Sequence, residues 1–82
     1  MSTAHNAIGI VLIGLGPIGR RVAVDISERP GFNLAAAIDH DPLLFGQPLT
    51  QFVPEAPKGL VISGSLNDVE NLEQATVAIV CT

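Results

Sequence analysis

Positive charge is scarce in this chain: four Lys and Arg against eight Asp and Glu, for a net charge of −4. Two of the four cations, Arg20 and Arg21, are adjacent, and no larger basic patch exists. Nucleic-acid binding through phosphate neutralisation is therefore not expected. The single cysteine cannot form an internal disulfide, which fits a reducing, cytoplasmic setting. Two histidines without a cysteine pair offer no metal-site spacing. No apolar run is long enough to cross a bilayer, so no membrane partner is expected. Residues 1–7 lack the basic and apolar regions of a secretory signal and are expected to be a flexible N-terminus. Internal repeats and low-complexity segments are also missing.

What remains is strongly apolar. Of 82 residues, 48% are hydrophobic and 15% charged. That composition is too apolar for disorder and suits elements buried on both faces, as in a parallel sheet. A chain of this length buries only about 60–65% of its unfolded surface and is marginal alone, so residues 8–82 are expected to be one half-domain.

Ile8–Ile13 is a β-rich apolar run that stops at Gly14, the pattern of a buried central strand. From Pro17 to about Glu28, Ile18, Val22 and Ile26 recur every four residues, predicting a helix that ends before Pro30-Gly31. Phe32–Ile38 is a second, alanine-rich strand ending at Asp39. Residues 40–58 contain Pro42, Pro48, Pro54 and Pro57, which predicts an irregular crossover with one helical turn near Leu43–Phe45. Leu60–Ser63 is a third strand. A second helix is predicted from Ser65, its N-cap, to about Gln74, with Leu66, Val69 and Leu72 inward. Thr76–Cys81 is a fourth strand. Strands alternating with crossovers imply an α/β, Rossmann-type parallel sheet of spatial order 3-2-1-4.

Gly14-Leu15-Gly16-Pro17-Ile18-Gly19 is G-x-G-x-x-G, placed between a buried strand and an amphipathic helix. An acid, Asp39, closes the next strand 20 residues after Gly19. Alone the glycine pattern is weak; in this context it points to a dinucleotide. Gly14 would make the turn, Gly16 would leave room for a pyrophosphate, and Gly19 would let the helix pack closely. Leu15, Pro17 and Ile18 would present backbone to the ligand, and the helix N-terminus would favour its negative charge. Pro17 suits the first helical position. A glycine-rich strand-to-helix turn with no ligand is the competing assignment. Asp39 would accept from the adenosine ribose and repel a 2′-phosphate, favouring NAD(H) while leaving NADP(H) open. Its competing assignment is a solvated cap of the turn at Asp39–Pro42. Arg20 and Arg21 read as solvated helix-face charges, and Cys81 as a small buried hydrophobe. Thr82, beyond the carboxyl end of the fourth strand, is placed to touch the nicotinamide half.

These motifs together resemble the N-terminal cofactor domain of dihydrodipicolinate reductases and, more closely, of 2,4-diaminopentanoate dehydrogenases. The similarity covers Ile10–Arg20, Leu34–Asp39, Asp41-Pro42 followed by Gly46–Leu49, Gly59–Val69 and Val77–Thr82. Reductases commonly carry one more residue between the second and third glycines, so the shorter turn here is nearer the dehydrogenases. The resemblance implies a parent oxidoreductase transferring hydride between a nicotinamide cofactor and a small amino-acid-like substrate; a homo-oligomer is expected because the fourth strand would expose an edge that invites pairing with another copy. It implies cofactor contact at Thr82. The family's substrate and proton-donor residues lie in a second domain, so no catalytic residue is assigned, and these residues alone are not expected to catalyse. Homoserine and 2-hydroxyacid dehydrogenases share the first strand and turn. A non-catalytic, nucleotide-sensing regulatory module is the other class of function the motif allows.

Overall fold

A computed structural model describes residues 8–69 and 75–81. Four parallel strands, β1 (Ile8–Ile13), β2 (Phe32–Ile38), β3 (Ile62–Ser63) and β4 (Val77–Val80), form one sheet in the order β3-β2-β1-β4. This is the predicted 3-2-1-4 order. The long helix α1 (Pro17–Glu28) connects β1 to β2. It ends because Arg29, held extended by the following proline, leaves the helical region (φ −98°, ψ 124°).

The inward stripe of α1 is Gly19, Ala23 and Ile26, not the Ile18-Val22-Ile26 row expected from sequence. Ile18 is 72% exposed. The reason is steric: Gly19 must face the β1 turn, and that choice rotates Ile18 outward while Val22 rides the edge of the core. The main core joins Ile10 and Leu12 of β1, Leu34 and Ala37 of β2 and Ile62 of β3 to this stripe. The opposite sheet face carries a smaller cluster of Val11, Ala36 and Ile38.

A bulge explains how β2 serves both faces. Ile10 pairs with Leu34, but Val11 pairs with Ala36, leaving Ala35 without a partner in β1. One extra residue reverses the alternation of everything after it. Ala36 and Ile38 thus join Val11 and Ile13 on the small-cluster side, and Ala37 joins Leu12 in the main core. The same alternation directs the next residue, Asp39, to the side on which α1 begins. Alanine's small side chain permits the crowding that a bulge creates.

The crossover is irregular, as its prolines demand, with 3-10 turns at Pro42–Leu44 and Leu49–Gln51. It is nevertheless core: Leu49, Val53 and Ala56 are buried beside Ala23 and Ile26. β3 is shorter than the predicted Leu60–Ser63. Its first residues turn instead to the crossover, where Gly46 N–H donates to Ile62 O (2.8 Å), Ile62 N–H to Gln47 O (2.9 Å) and Leu49 N–H to Leu60 O (2.8 Å). This covers what would otherwise be an open sheet edge.

The helix predicted from Ser65 to Gln74 is not continuous. Leu66–Asp68 is a single 3-10 turn, and Val69 is extended (φ −83°, ψ 124°). Asn and Asp favour turns over helix interiors, and the extension lets Val69 pack on the small cluster. The remainder of that helix, together with residues 1–7 and Thr82, lies outside the described residues.

Because Leu49 is fully buried within the crossover, Leu49→Ala is expected to cost about 2–5 kcal/mol. Urea denaturation checks this, and a loss below about 1 kcal/mol would place the crossover outside the cooperative core.

Candidate functional site

At the carboxyl edge of the sheet the end of β1, the start of α1 and the end of β2 converge, and the three glycines there play different parts. Gly14 has φ 101°, a region that side chains disfavour, and a Cβ on it would run into the carbonyl of Cys81 at the end of β4. Its N–H donates to Ile38 O (2.8 Å). A Cβ on Gly19 would strike the Gly14 carbonyl. Packing therefore requires both. Gly16 is different. Its backbone (φ −70°, ψ −171°) suits any residue, and no atom lies within 4 Å of where its Cβ would stand. The protein leaves open space over Gly16 that folding does not need.

Gly16 is also the N-cap of α1, with no side chain capping the helix and Pro17 following. The amides of Gly16 and Ile18, both exposed, have no acceptor among the described residues. A helix start of this kind attracts an anion through its N–H groups and its dipole. The expectation that Leu15 presents its backbone to a ligand is corrected. Its N–H donates to Asp39 Oδ2 (2.7 Å), its carbonyl accepts from Arg20 Nε (2.8 Å), and its side chain is buried.

Asp39 is 9% exposed, so the solvated form of its competing assignment does not hold. The capping part does: Asp39 Oδ1 accepts from Asp41 N–H (2.9 Å) while Oδ2 holds Leu15. Each oxygen retains a second acceptor position. Burial pushes the Asp39 carboxyl up, but the two amide bonds, with His40 and Arg20 nearby, outweigh it and leave the group below its usual 3.8. His40 is wholly exposed, its Nδ1 3.9 Å from Asp39 Oδ1.

A cavity of about 470 Å³ opens between these parts, with Leu15, Gly16, Arg20, Asp39 and Pro42 among its walls. Small-molecule sites span about 300–1,000 Å³. Arg20, read from sequence as a solvated charge, is half-buried in that wall, its guanidinium carbon 4.7 Å from the centroid of the Phe52 ring. Arg21 is exposed as expected. Phe52 was hidden in the proline-rich stretch; the usable signal for Arg20 was its position one residue past the last glycine. Pro17 and Ile18 sit exposed at the helix start, and Thr82 falls outside the described residues. Cys81 is a half-buried free thiol against the glycine turn. Among the described residues no group of His, Cys, Asp or Glu could hold a metal ion, and no helix is long and apolar enough to cross a membrane.

No protein-family profile matches the sequence, and no curated protein matches it. Among solved structures, the chain is similar to a Rex-family repressor, with TM-score 0.71 and 23% identity over 95% of this chain. It spans 35% of that repressor's chain. Likeness at this identity shows the fold: a partial Rossmann-type domain built on a parallel 3-2-1-4 sheet.

Two outcomes follow from this geometry. Gly14→Ala is expected to destabilise by about 2 kcal/mol or more, whereas Gly16→Ala should stay within about 1 kcal/mol of the parent; thermal melts of both variants check the contrast. The Asp39 carboxyl is lower in the folded than in the unfolded state, so the stability it adds is complete above pH about 4 and is lost as pH falls through the lowered value. Asp39→Asn should remove that share of the acid slope while costing about 1–3 kcal/mol at neutral pH. Urea midpoints between pH 2 and 7 measure both, and parallel acid slopes would show that Asp39 contributes none of it.

Proposed function

We propose that the protein is a dinucleotide-binding module for NAD(H), with the pyrophosphate at the start of α1 and the adenosine ribose beside Asp39. The observation that carries this reading is the open volume over Gly16. The backbone there tolerates any residue and no protein atom fills the space, yet a glycine stands in it beside unpaired amides. The donor set fits the group: N–H groups without a protein acceptor for phosphate oxygens, and a buried carboxylate held ionised with acceptor positions left for ribose hydroxyls. Asp39 and Asp41 together oppose a phosphate on the ribose, so NADP(H) is the weaker ligand.

Two uses of such binding have support. One similar solved structure is a repressor, which favours a nucleotide-responsive regulatory module. The motifs at Asp41–Leu49 and Gly59–Val69 favour the cofactor domain of a dihydrodipicolinate reductase-like or diamino acid dehydrogenase-like oxidoreductase. In that case the nicotinamide supplies the hydride chemistry, and these residues bind and orient it.

Calorimetric titration with NADH, NADPH and ADP-ribose tests the binding. NADH should bind more tightly than NADPH, Gly16→Ala should weaken NADH by about tenfold or more, and Asp39→Ala should weaken NADH more than NADPH. No heat with any of the three would overturn the proposal. Oxidation of NADH in the presence of small imino or keto acids would then favour the enzymatic use over the regulatory one.

A further inference from the structure

Arg20 holds an unusual position for a cation on a helix. Its Nε donates to the Leu15 carbonyl, and one face of its guanidinium lies over the Phe52 ring at 4.7 Å. Phe52 does not reach the cavity, whereas Arg20 does. Arg20 thus borders the open space with an aromatic ring against its guanidinium and one nitrogen already bonded. Its two terminal amino groups have no acceptor among the described residues. Two contacts restrain a long, rotamer-rich side chain before any ligand arrives, which lowers the entropic cost of using it in binding.

The charges facing the cavity limit what this cation can meet. Two carboxylates, Asp39 and Asp41, line the same space, against one guanidinium and the exposed His40. Coulomb repulsion from the pair disfavours a second phosphate on the ribose beside Asp39. A planar, uncharged ring with acceptor nitrogens meets no such penalty. It can stack on the guanidinium and accept from its amino groups, while Leu15, Pro42 and Leu44 supply apolar wall.

We propose that Arg20 is the base-contacting residue of this cavity, and that the Phe52-backed guanidinium recognises the adenine ring of an adenine nucleotide whose ribose carries no second phosphate. This rests on the dinucleotide reading above and names a contact that reading does not assign. Phe52 acts as a positioning residue, since it reaches the ligand only through Arg20.

The test uses ligands with and without the base. Binding of 5′-AMP, 2′-AMP, ADP-ribose and ribose 5-phosphate is measured by calorimetry on the protein and on Arg20→Leu, Arg20→Lys and Phe52→Leu, with a thermal melt for each. Arg20→Leu should weaken 5′-AMP and ADP-ribose by about 5- to 30-fold and leave ribose 5-phosphate nearly unchanged. Arg20→Lys, which keeps the charge but not the plane, should recover little of the loss, and Phe52→Leu should lose less than Arg20→Leu. Should Arg20→Leu fail to fold, the lysine and Phe52 variants carry the same comparison. Equal losses for 5′-AMP and ribose 5-phosphate would reduce Arg20 to a clamp on Leu15, and tighter binding of 2′-AMP than 5′-AMP would make it a phosphate reader; either overturns the proposal. A parent protein that binds ADP-ribose, with variants that bind it equally well, refutes the role of Arg20 alone. A parent that binds none of these ligands refutes the dinucleotide reading itself.

Discussion

Asp39 takes one backbone N–H on each carboxylate oxygen, from Leu15 on the glycine turn and from Asp41 at the start of the crossover. Through this one side chain the end of β2 sets the conformation of two loops. Charge-assisted bonds to backbone amides are among the stronger hydrogen bonds a protein makes, and a carboxylate this buried must make them. With the Leu15 amide so engaged and its carbonyl held by Arg20, the peptide before Gly16 has little freedom. Gly16 and Ile18, where α1 begins, keep amides without an acceptor among the described residues.

The supports of this arrangement lie well away from it. The β2 bulge at Ala35 sets the phase in which Asp39 leaves the sheet. The crossover delivers Phe52 behind Arg20, and it does so as part of the core, anchored by Leu49 and Val53. The glycine turn is pinned by sterics from the opposite side, where Cys81 crowds Gly14 and Gly14 crowds Gly19. Rigid supports of this kind are what allow a loop to bind without a large ordering cost.

Much of the fold was legible because its signals are local. An apolar run ending at Gly14, a proline at the helix start and another after its end, and the alternation of strands with crossovers sufficed for β1, α1, β2 and the 3-2-1-4 order. Signals that depend on distant partners misled. Ile18 matches a helical stripe by spacing, yet the contact of Gly19 with Gly14 turns it outward. Val69 fits a helix by spacing, yet a sheet face needing cover draws it into extended chain. Leu60 and Val61 have strand composition, but pairing with Gln47–Leu49 takes them from the parallel sheet.

The residues themselves determined that a strand-turn-helix would place three glycines and an acid near one another, because turn chemistry, helix starts and strand ends are written in neighbouring positions. That Asp39 is buried and already bonded, and that Arg20 stands against Phe52 rather than in solvent, were decided only in three dimensions. Each of these depends on atoms brought together from segments far apart in the chain, and one extra residue in β2 is enough to change which of them meet.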